Sequence, residues 1–325
     1  MIDFLPIKFN LADFQQGHNY CLALSGGVDS VVLLHLTYKF MQENNINLNQ
    51  LQALHINHNI SQFSNIWQQF CQNYCQQLGI QLTIVNVRVS NSKGLGLENS
   101  ARKLRYKAFA EIHGVDFLML AHHLDDQYET MLSQMMRGSD LHNVAAMNEC
   151  RRFAGKWLYR PLLCCSKKSI LDYANVNNLH YVVDDSNSDN SLLRNFLRNI
   201  IIPKLQSYDN NLYNKFSTYL ASVKTYVALA DELAASDLAN CCSYGHKNII
   251  EWNLISSLTT IRQSNLLSYF IKQQIGVSIS HKSIREFIKQ CCNVNNNLLG
   301  AKPALTIGSK KIICQHQQIS IVDKS

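Results

Sequence analysis

Tyr20-Cys21-Leu22-Ala23-Leu24-Ser25-Gly26-Gly27-Val28-Asp29-Ser30 places a compact apolar run directly before a glycine turn, and the apolar residues that follow (Val31, Leu33, Leu34, Leu36, Phe40) recur at helical spacing. This is how a strand–turn–helix unit opens. Leu51 to Ile56, Leu82 to Val89 and Phe117 to Leu120 read as further strands, with helices through Trp67, Phe70, Tyr74 and Leu78 and over Glu98 to Ile112. Strands alternating with helices predict βαβ crossovers, hence an α/β fold with a parallel sheet and helices on both faces. Ligands of such sheets bind beyond the carboxyl ends of the strands.

The turn itself carries chemistry. Two glycines let the backbone curl tightly, so successive N–H groups and the start of the next helix can face an anion, with the Ser25 and Ser30 hydroxyls as added donors. Unlike the phosphate loop ending in Gly-Lys-Ser/Thr, there is no lysine, and Asp29 puts a carboxylate in the middle. A carboxylate beside phosphate needs a cation, most simply Mg²⁺. A glycine-rich turn with an Asx cap would account for the glycines but not for the whole hexapeptide after a strand.

Beyond residue 137 the pattern changes. Lys156 to Leu163 reads as a strand, Lys167 to Asn177 as a helix, and Asn190 onward as a long helix with a break at Pro203. From about 212 to 292 the spacing is helical, and Ala304 to Ile313 with Gln318 to Val322 suggests a small β-meander. The expected organisation is a domain over 1–210 followed by a mostly helical domain over 211–325 that ends in the meander.

Composition narrows the class. The 325 residues are 46% hydrophobic and 16% charged with only 4 Pro and 13 Gly, which excludes disordered and collagen-like chains and favours helices. Neither a signal-like N-terminus nor a long apolar stretch is seen, so the expectation is a cytoplasmic protein without a membrane segment. The 11 cysteines show no CxxC spacing and read as reduced thiols. Residues 1–136 hold 8 Lys and Arg against 10 Asp and Glu, whereas residues 137–325 hold 22 against 13. A polyanion would be drawn to the later part, although solvated surface charge explains the excess equally well.

Four further segments carry candidate functional groups. His55-Ile56-Asn57-His58 ends the second strand; Glu98-Asn99-Ser100-Ala101-Arg102-Lys103-Leu104-Arg105-Tyr106 opens a helix; Ala121-His122-His123-Leu124-Asp125-Asp126-Gln127-Tyr128-Glu129-Thr130 leads to Arg137-Gly138; and Asp184-Asp185-Ser186-Asn187 precedes Arg194-Asn195-Phe196-Leu197-Arg198. Asp126 and Glu129 share a helix face and could ligate Mg²⁺ or receive a cationic amine. Acids at a helix start also simply suit its dipole. His122, His123, Asp125 and Asp126 could suggest a transition-metal hydrolase, a reading weakened by the phosphate loop and the lack of nearby cysteine. Arg194 and Arg198, one turn apart, form a basic ridge for RNA phosphate or for shaping the pocket, or pair with Asp184 or Asp185.

The hexapeptide resembles the SGGxDS loop of the N-type ATP pyrophosphatases, the PP-loop superfamily. The four segments, together with Arg160-Pro161-Leu162-Leu163, are similar in order to the signatures of the tRNA(Ile)-lysidine synthetases over residues 20 to 205. That resemblance implies an adenine nucleotide α-hydrolase-like fold and a ligase that uses ATP and Mg²⁺. The substrates would be L-lysine and the CAU-anticodon isoleucine tRNA. Ala23, Ser25, Gly26, Gly27, Val28, Asp29, Ser30, His55 and His122 would bind ATP, and Asp29 and Glu129 would hold the metal. Asp29, Arg102, Asp126 and Glu129 would act in catalysis, while Asp125, Arg137, Arg194 and Arg198 would face lysine or tRNA.

After Arg137-Gly138-Ser139 the sequence departs from the family pattern, with Asp140-Leu141-His142-Asn143-Val144 in place of glycines. The length suggests a catalytic and one tRNA-binding domain without the second C-terminal domain of longer family members; a homodimer stays open. The thiolation enzymes of the superfamily use a catalytic cysteine or paired CxxC motifs, which are not seen here. A non-catalytic ATP-binding RNA scaffold would require Asp29 to be dispensable.

Overall fold

The computed structural model describes residues 17–59, 61–88, 97–183, 189–242, 248–277, 279–294 and 303–324. They fall into two compact units: residues up to Glu129 with Met147–Pro203, and Thr130–Ala146 with Lys204 onward. The expected division at 210/211 is a single cut, whereas the first unit is interrupted by residues 130–146 and ends at Pro203.

In the first unit the chain runs β1 (Tyr20–Ala23), α1 (Val28–Glu43), β2 (Leu51–Asn57), α2 (Ser64–Leu78), β3 (Gln81–Asn86), α3 (Leu97–Glu111), β4 (Phe117–Met119) and into α4 (Leu124–Met136). It returns with β5 (Cys150–Phe153), β6 (Lys156–Tyr159) and α6 (Lys167–Val176), leaving α5 (Leu141–Val144) to the other unit. The sheet order is β3-β2-β1-β4-β6-β5. All neighbours are parallel except the β5–β6 hairpin at the edge, so the expected α/β architecture is present.

Side chains alternate across the sheet and build a core on each face. Tyr20 and Leu22 join Leu33 and Leu34 of α1, Cys71 and Cys75 of α2 and Ile170 of α6. Cys21, Leu54, Leu118 and Leu158 project to the opposite face, against Phe109 of α3. Helices therefore cover both faces. α1 is buried almost all round, and each of its fully buried leucines stabilises the fold by about 1.5–3 kcal/mol.

Several expectations are corrected. The strand from Lys156 stops at Tyr159, because Pro161 has no N–H for a ladder and instead starts a 3₁₀ turn, Pro161–Cys164. The third strand ends at Asn86, and Val89 lies outside the described residues. The break expected at Pro203 is absent: α7 (Leu193–Phe196), a π turn (Leu197–Ile201) and α8 (Ile202–Tyr208) follow without interruption. A wider π turn relieves the clash of a proline ring with the preceding turn. The exposed edge strand β5 was not foreseen.

The second unit contains α9 (Leu212–Cys241), β7 (Ile249–Glu251), α10 (Trp252–Ser256), α11 (Thr260–Ile275), α12 (His281–Val294) and the strands β8 (Ala304–Ile307), β9 (Lys310–Gln315) and β10 (Gln318–Asp323). The meander is present and gains β7, too short to read from sequence, in the antiparallel order β7-β10-β9-β8. Trp252, Phe270, Phe287, Ile312 and Ile319 form its core. Buried Asp237 of α9 is held by Arg262 of α11 through Nε at 3.0 Å and through Nη2. Where the sequence departs from the family pattern after Arg137, Asp140 accepts the Asn143 N–H at 3.1 Å and caps α5. None of the 11 cysteines is joined in a disulfide; Cys150, Cys164 and Cys292 are exposed, and Cys21, Cys71, Cys75, Cys165, Cys241, Cys291 and Cys314 are buried. Among the described residues no helix is long and apolar enough to cross a membrane.

One buried cation ties β6 to α3. Lys156 is 5% exposed and its Nζ donates to the carbonyls of Phe109 (3.0 Å), Ala110 (3.3 Å) and Ile112 (2.5 Å), the unpaired acceptors at the end of α3. Lys156→Met keeps the apolar stem and orphans those carbonyls. Urea unfolding is expected to show a loss of about 1–3 kcal/mol; a loss below about 0.5 kcal/mol would mean that the carbonyls find other donors.

Candidate active site

Neighbouring strands β2, β1 and β4 deliver three polar segments to the carboxyl edge of the sheet: His55 to His58, Ser25 to Ser30, and His122 with His123. The first-strand loop is tightly built. Ser30 Oγ donates to Gly27 O at 2.9 Å and accepts the Ser25 N–H at 3.2 Å, while Ser25 Oγ lies 3.1 Å from it and accepts the Gly27 N–H at 3.3 Å. Gly26 sits at φ +89°, and a Cβ there would come within 2.9 Å of Val182 Cγ2. Glycine is therefore demanded both by conformation and by space. No side chain caps α1 at Gly27; the Ser30 and Val31 N–H groups donate to the Gly27 carbonyl, each at 3.1 Å, and Asp29 stands in this first turn.

Asp29 has a partner that the sequence did not suggest. Lys167 Nζ lies 2.6 Å from Asp29 Oδ1, and the Lys167 N–H donates to Asp125 Oδ2 at 2.8 Å. A lysine as first residue of a helix opposes the helix dipole, and that mismatch was the available signal for Lys167. His123, 3% exposed, stands among three carboxylates: Asp29 at 3.9 Å, Asp125 at 3.7 Å and Asp126 at 3.6 Å. Burial pulls its pKa down, but the Asp125, Asp126 and Asp29 charges outweigh it and hold the pKa above the usual value. These separations are ion-pair contacts, too long for hydrogen bonds.

The acids of α4 meet the arginines expected to form a basic ridge. Arg194 donates to Glu129 Oε2 (2.6 Å) and Asp126 Oδ1 (2.5 Å); Arg198 donates to Glu129 Oε1 (2.5 Å) and Asp126 Oδ1 (3.1 Å). Asp126 Oδ2 also accepts the His123 N–H at 3.0 Å and caps α4. Burial would raise the Asp126 pKa, yet His123 and Arg194 hold it well below the carboxylate range. The ion pairing expected with Asp184 or Asp185 falls on residues outside the described ones.

His55 is buried and lies 2.9 Å through Nδ1 from the Leu24 carbonyl. A carbonyl only accepts, so Nδ1 carries the proton and the ring fixes the backbone just before Ser25. His58 Nδ1 and His122 Nδ1 are buried without a hydrogen-bond partner. Burial pushes the His122 pKa down to about 3, with Asp126 opposing and Arg160 reinforcing. Ala23 ends β1 below the loop. Exposed Arg102 has its guanidinium 5.0 Å from the Tyr106 ring centroid on α3, and Arg137 is exposed just past α4.

A Mg²⁺ ion takes oxygen ligands, typically one or two carboxylates with phosphate oxygens and water. Partly exposed Asp29 at the loop fits that donor set. Glu129 does not join it here: at 1% exposure both its oxygens are held by guanidiniums, unlike the expected pairing with Asp29. Among the described residues no three His, Cys, Asp or Glu side chains are arranged to hold a metal ion alone.

A phosphate-type loop between β1 and α1, at the carboxyl edge of a parallel sheet and carrying a carboxylate, defines a nucleotide-binding α/β protein. The model of the PP-loop domain family matches residues 6–205, and the chain belongs to that family. It is 38% identical over 274 residues to the tRNA(Ile)-lysidine synthase of Neisseria meningitidis serogroup B, covering 83% of this chain and 62% of the relative. The same-named enzyme of Nitrosomonas europaea is 36% identical over 290 residues, covering 87% and 61%. The chain thus spans about three fifths of the length of these relatives. Among solved structures, the U34-tRNA thiolase NcsA of Methanococcus maripaludis superposes with a TM-score of 0.52 at 18% identity, covering 64% of this chain and 73% of the other, a likeness of fold.

The histidines give the fold a pH signature. Unfolded His122 binds a proton near pH 6.5, whereas the folded residue does so only near 3, so stability falls as pH drops between those values. His55 and His58, lowered chiefly by burial, act in the same sense, and His123 in the opposite one. The urea midpoint is expected to fall from about pH 7 to about pH 4.5, and less steeply in His122→Asn. An equally steep profile in that variant would contradict the assignment.

Proposed function

We propose that this chain ligates L-lysine to C2 of the wobble cytidine in the CAU-anticodon isoleucine tRNA, consuming ATP and releasing AMP and pyrophosphate. The observation that carries the reading is the Ser25–Ser30 loop with Asp29 at the head of α1, in a chain whose curated relatives bear that activity as their name. In the first step the cytidine C2 oxygen bonds to the α-phosphorus of ATP while the bond to pyrophosphate breaks. In the second the lysine amine bonds to C2 and the C–O bond to AMP breaks.

The loop's backbone N–H groups and the α1 N-terminus hold the leaving phosphates, while the Ser25 and Ser30 hydroxyls, bonded within the loop, fix its shape. Lys167, in contact with Asp29, is placed to turn its ammonium toward a phosphate oxygen. Asp29 would hold a Mg²⁺ ion, which would supply positive charge to offset that building on the leaving group. Arg102 offers a guanidinium to the α-phosphate, where charge develops during attack. The Asp126–Glu129–Arg194–Arg198 network keeps α4 fixed beneath His122 and His123 and thereby orients the site. A base must leave its stack to reach the loop.

Incubation with ATP, labelled lysine and the CAU tRNA is expected to place label in acid-insoluble RNA; entry of sulfur without lysine would instead establish a thiolation enzyme. Asp29→Ala should lower pyrophosphate release by about 10²–10³-fold. Release unchanged by that substitution would remove the loop from the chemistry and leave an ATP-binding scaffold.

A further inference from the structure

Pro161 opens a 3₁₀ turn that ends on two adjacent cysteines, at the point where the chain crosses from β6 to α6. Cys164 is exposed and Cys165 is fully buried, yet their Sγ atoms lie only 4.0 Å apart. The Cys165 side chain belongs to the core that includes Leu162 and Ile170. Its N–H donates to the Leu162 carbonyl at 2.8 Å and holds the turn. Ser166 follows and caps α6 by accepting the Ser169 N–H at 3.1 Å.

The same residues tie two helices together. The first N–H groups of a helix find no carbonyl within it, and the Leu124 N–H at the start of α4 donates to the Cys165 carbonyl at 2.8 Å. In return the Lys167 N–H at the start of α6 donates to Asp125 Oδ2, also at 2.8 Å. Lys167 carries its ammonium on to Asp29 Oδ1, 2.6 Å away. The backbone of Cys165 is therefore half of a joint between the helix that follows His123 and the helix that supplies the partner of Asp29.

The two thiols differ in reactivity. Their mutual contact brings the Cys164 pKa down to about 7, against burial and the Glu149 charge, whereas the same contact and burial push that of Cys165 up. A thiolate rather than a thiol attacks an oxidant, and a second sulfur beside it serves to resolve the product. We propose that Cys164 and Cys165 are an oxidant-responsive pair whose disulfide loosens the joint between α4 and α6. The Cys164 thiolate takes the terminal OH of a hydroperoxide: an S–O bond forms and the O–O bond breaks. Sulfur is oxidised to sulfenic acid, and the peroxide is reduced to a hydroxide or alkoxide that takes the proton the thiol had released. The Cys165 sulfur then bonds to that of Cys164 as the S–O bond breaks, and the departing oxygen leaves as water with the Cys165 proton. Consecutive Cα atoms are about 3.8 Å apart, whereas those of a disulfide usually stand about 4.4–6.8 Å apart. Closing the bond must therefore turn the Cys164–Cys165 peptide, whose N–H now serves Leu162, and draw the Cys165 carbonyl from Leu124. Only the further effect on the phosphate loop, through Lys167 and Asp29, rests on the ATP reading above.

The full chain is treated with hydrogen peroxide at about pH 7 and digested with trypsin. The peptide that carries both cysteines should be lighter by a pair of hydrogens and regain them with dithiothreitol, and dimedone present during oxidation should label Cys164 within it. Amide exchange followed by NMR should quicken about tenfold or more at Leu124 and Lys167 in the oxidised chain. Affinity for a fluorescent ATP analogue should weaken about tenfold and recover on reduction. Cys164→Ser, at an exposed position, should abolish all of these responses. Cys165→Ala, accepted only if its thermal unfolding matches the parent, should stop at the sulfenic acid. A peptide of unchanged mass, a disulfide from Cys164 to any other cysteine, or a Cys164–Cys165 disulfide that leaves both exchange rates unaltered would overturn the proposal. Faster exchange with nucleotide affinity unaltered would sever the link to the phosphate loop. A reduced chain that binds no nucleotide, yet forms the disulfide and loosens on oxidation, would uphold the pair and remove the ATP reading.

Discussion

The first unit is organised around two carboxylates that water hardly reaches. Glu129 and Asp126 sit on one face of α4, and their burial is tolerable because Arg194 and Arg198 approach from the helix more than 60 residues later and occupy their oxygens. Removing one partner from such a network typically costs about 3–5 kcal/mol, because the remaining charges stay buried. The network fixes where α4 begins, and thereby where His122, His123 and Asp125 stand. Through Asp125 the same order passes to the first residue of α6, and through Lys167 it reaches Asp29 in the phosphate loop. A run of charged contacts thus links α4, α6 and α1 at the edge where three strands end.

Strong local patterns made the first unit legible. The alternation of short apolar runs with helical spacing placed β1, β2, β4, α1, α2 and α3 close to where they occur, because each buries a face whose periodicity is written in its own residues. Short elements escaped. β5 exposes Arg151 and Arg152 and is held by its hairpin partner, and β7 is three residues long and exists because β10 pairs with it. Pro203 was read by its usual effect, which the preceding π turn cancels.

The candidate site divides in the same way. Gly26, Ser25 and Ser30 announce themselves through local spacing, and their hydrogen bonds close within the loop. Lys167 and Arg160 do not, since their meaning comes from residues distant in sequence: Asp29 is 138 positions from Lys167, and Tyr106 stands on another helix. His55 illustrates a role that residue type misstates. An imidazole near a nucleotide loop invites a ligand contact, whereas here its proton serves the Leu24 carbonyl and sets the backbone on which the loop turns.

The thiols give the molecule a built-in reporter of its own breathing. Cys21, Cys71 and Cys75 lie in the core of the first unit, while Cys241, Cys291 and Cys314 lie in that of the second. Burial pushes the pKa of Cys21 and Cys71 up to about 12, so neither forms a reactive thiolate until its surroundings open. Exposed Cys150, Cys164 and Cys292 mark the surface from the start. Alkylation followed cysteine by cysteine therefore times the opening of each core separately, without a label, a bound nucleotide or an engineered residue.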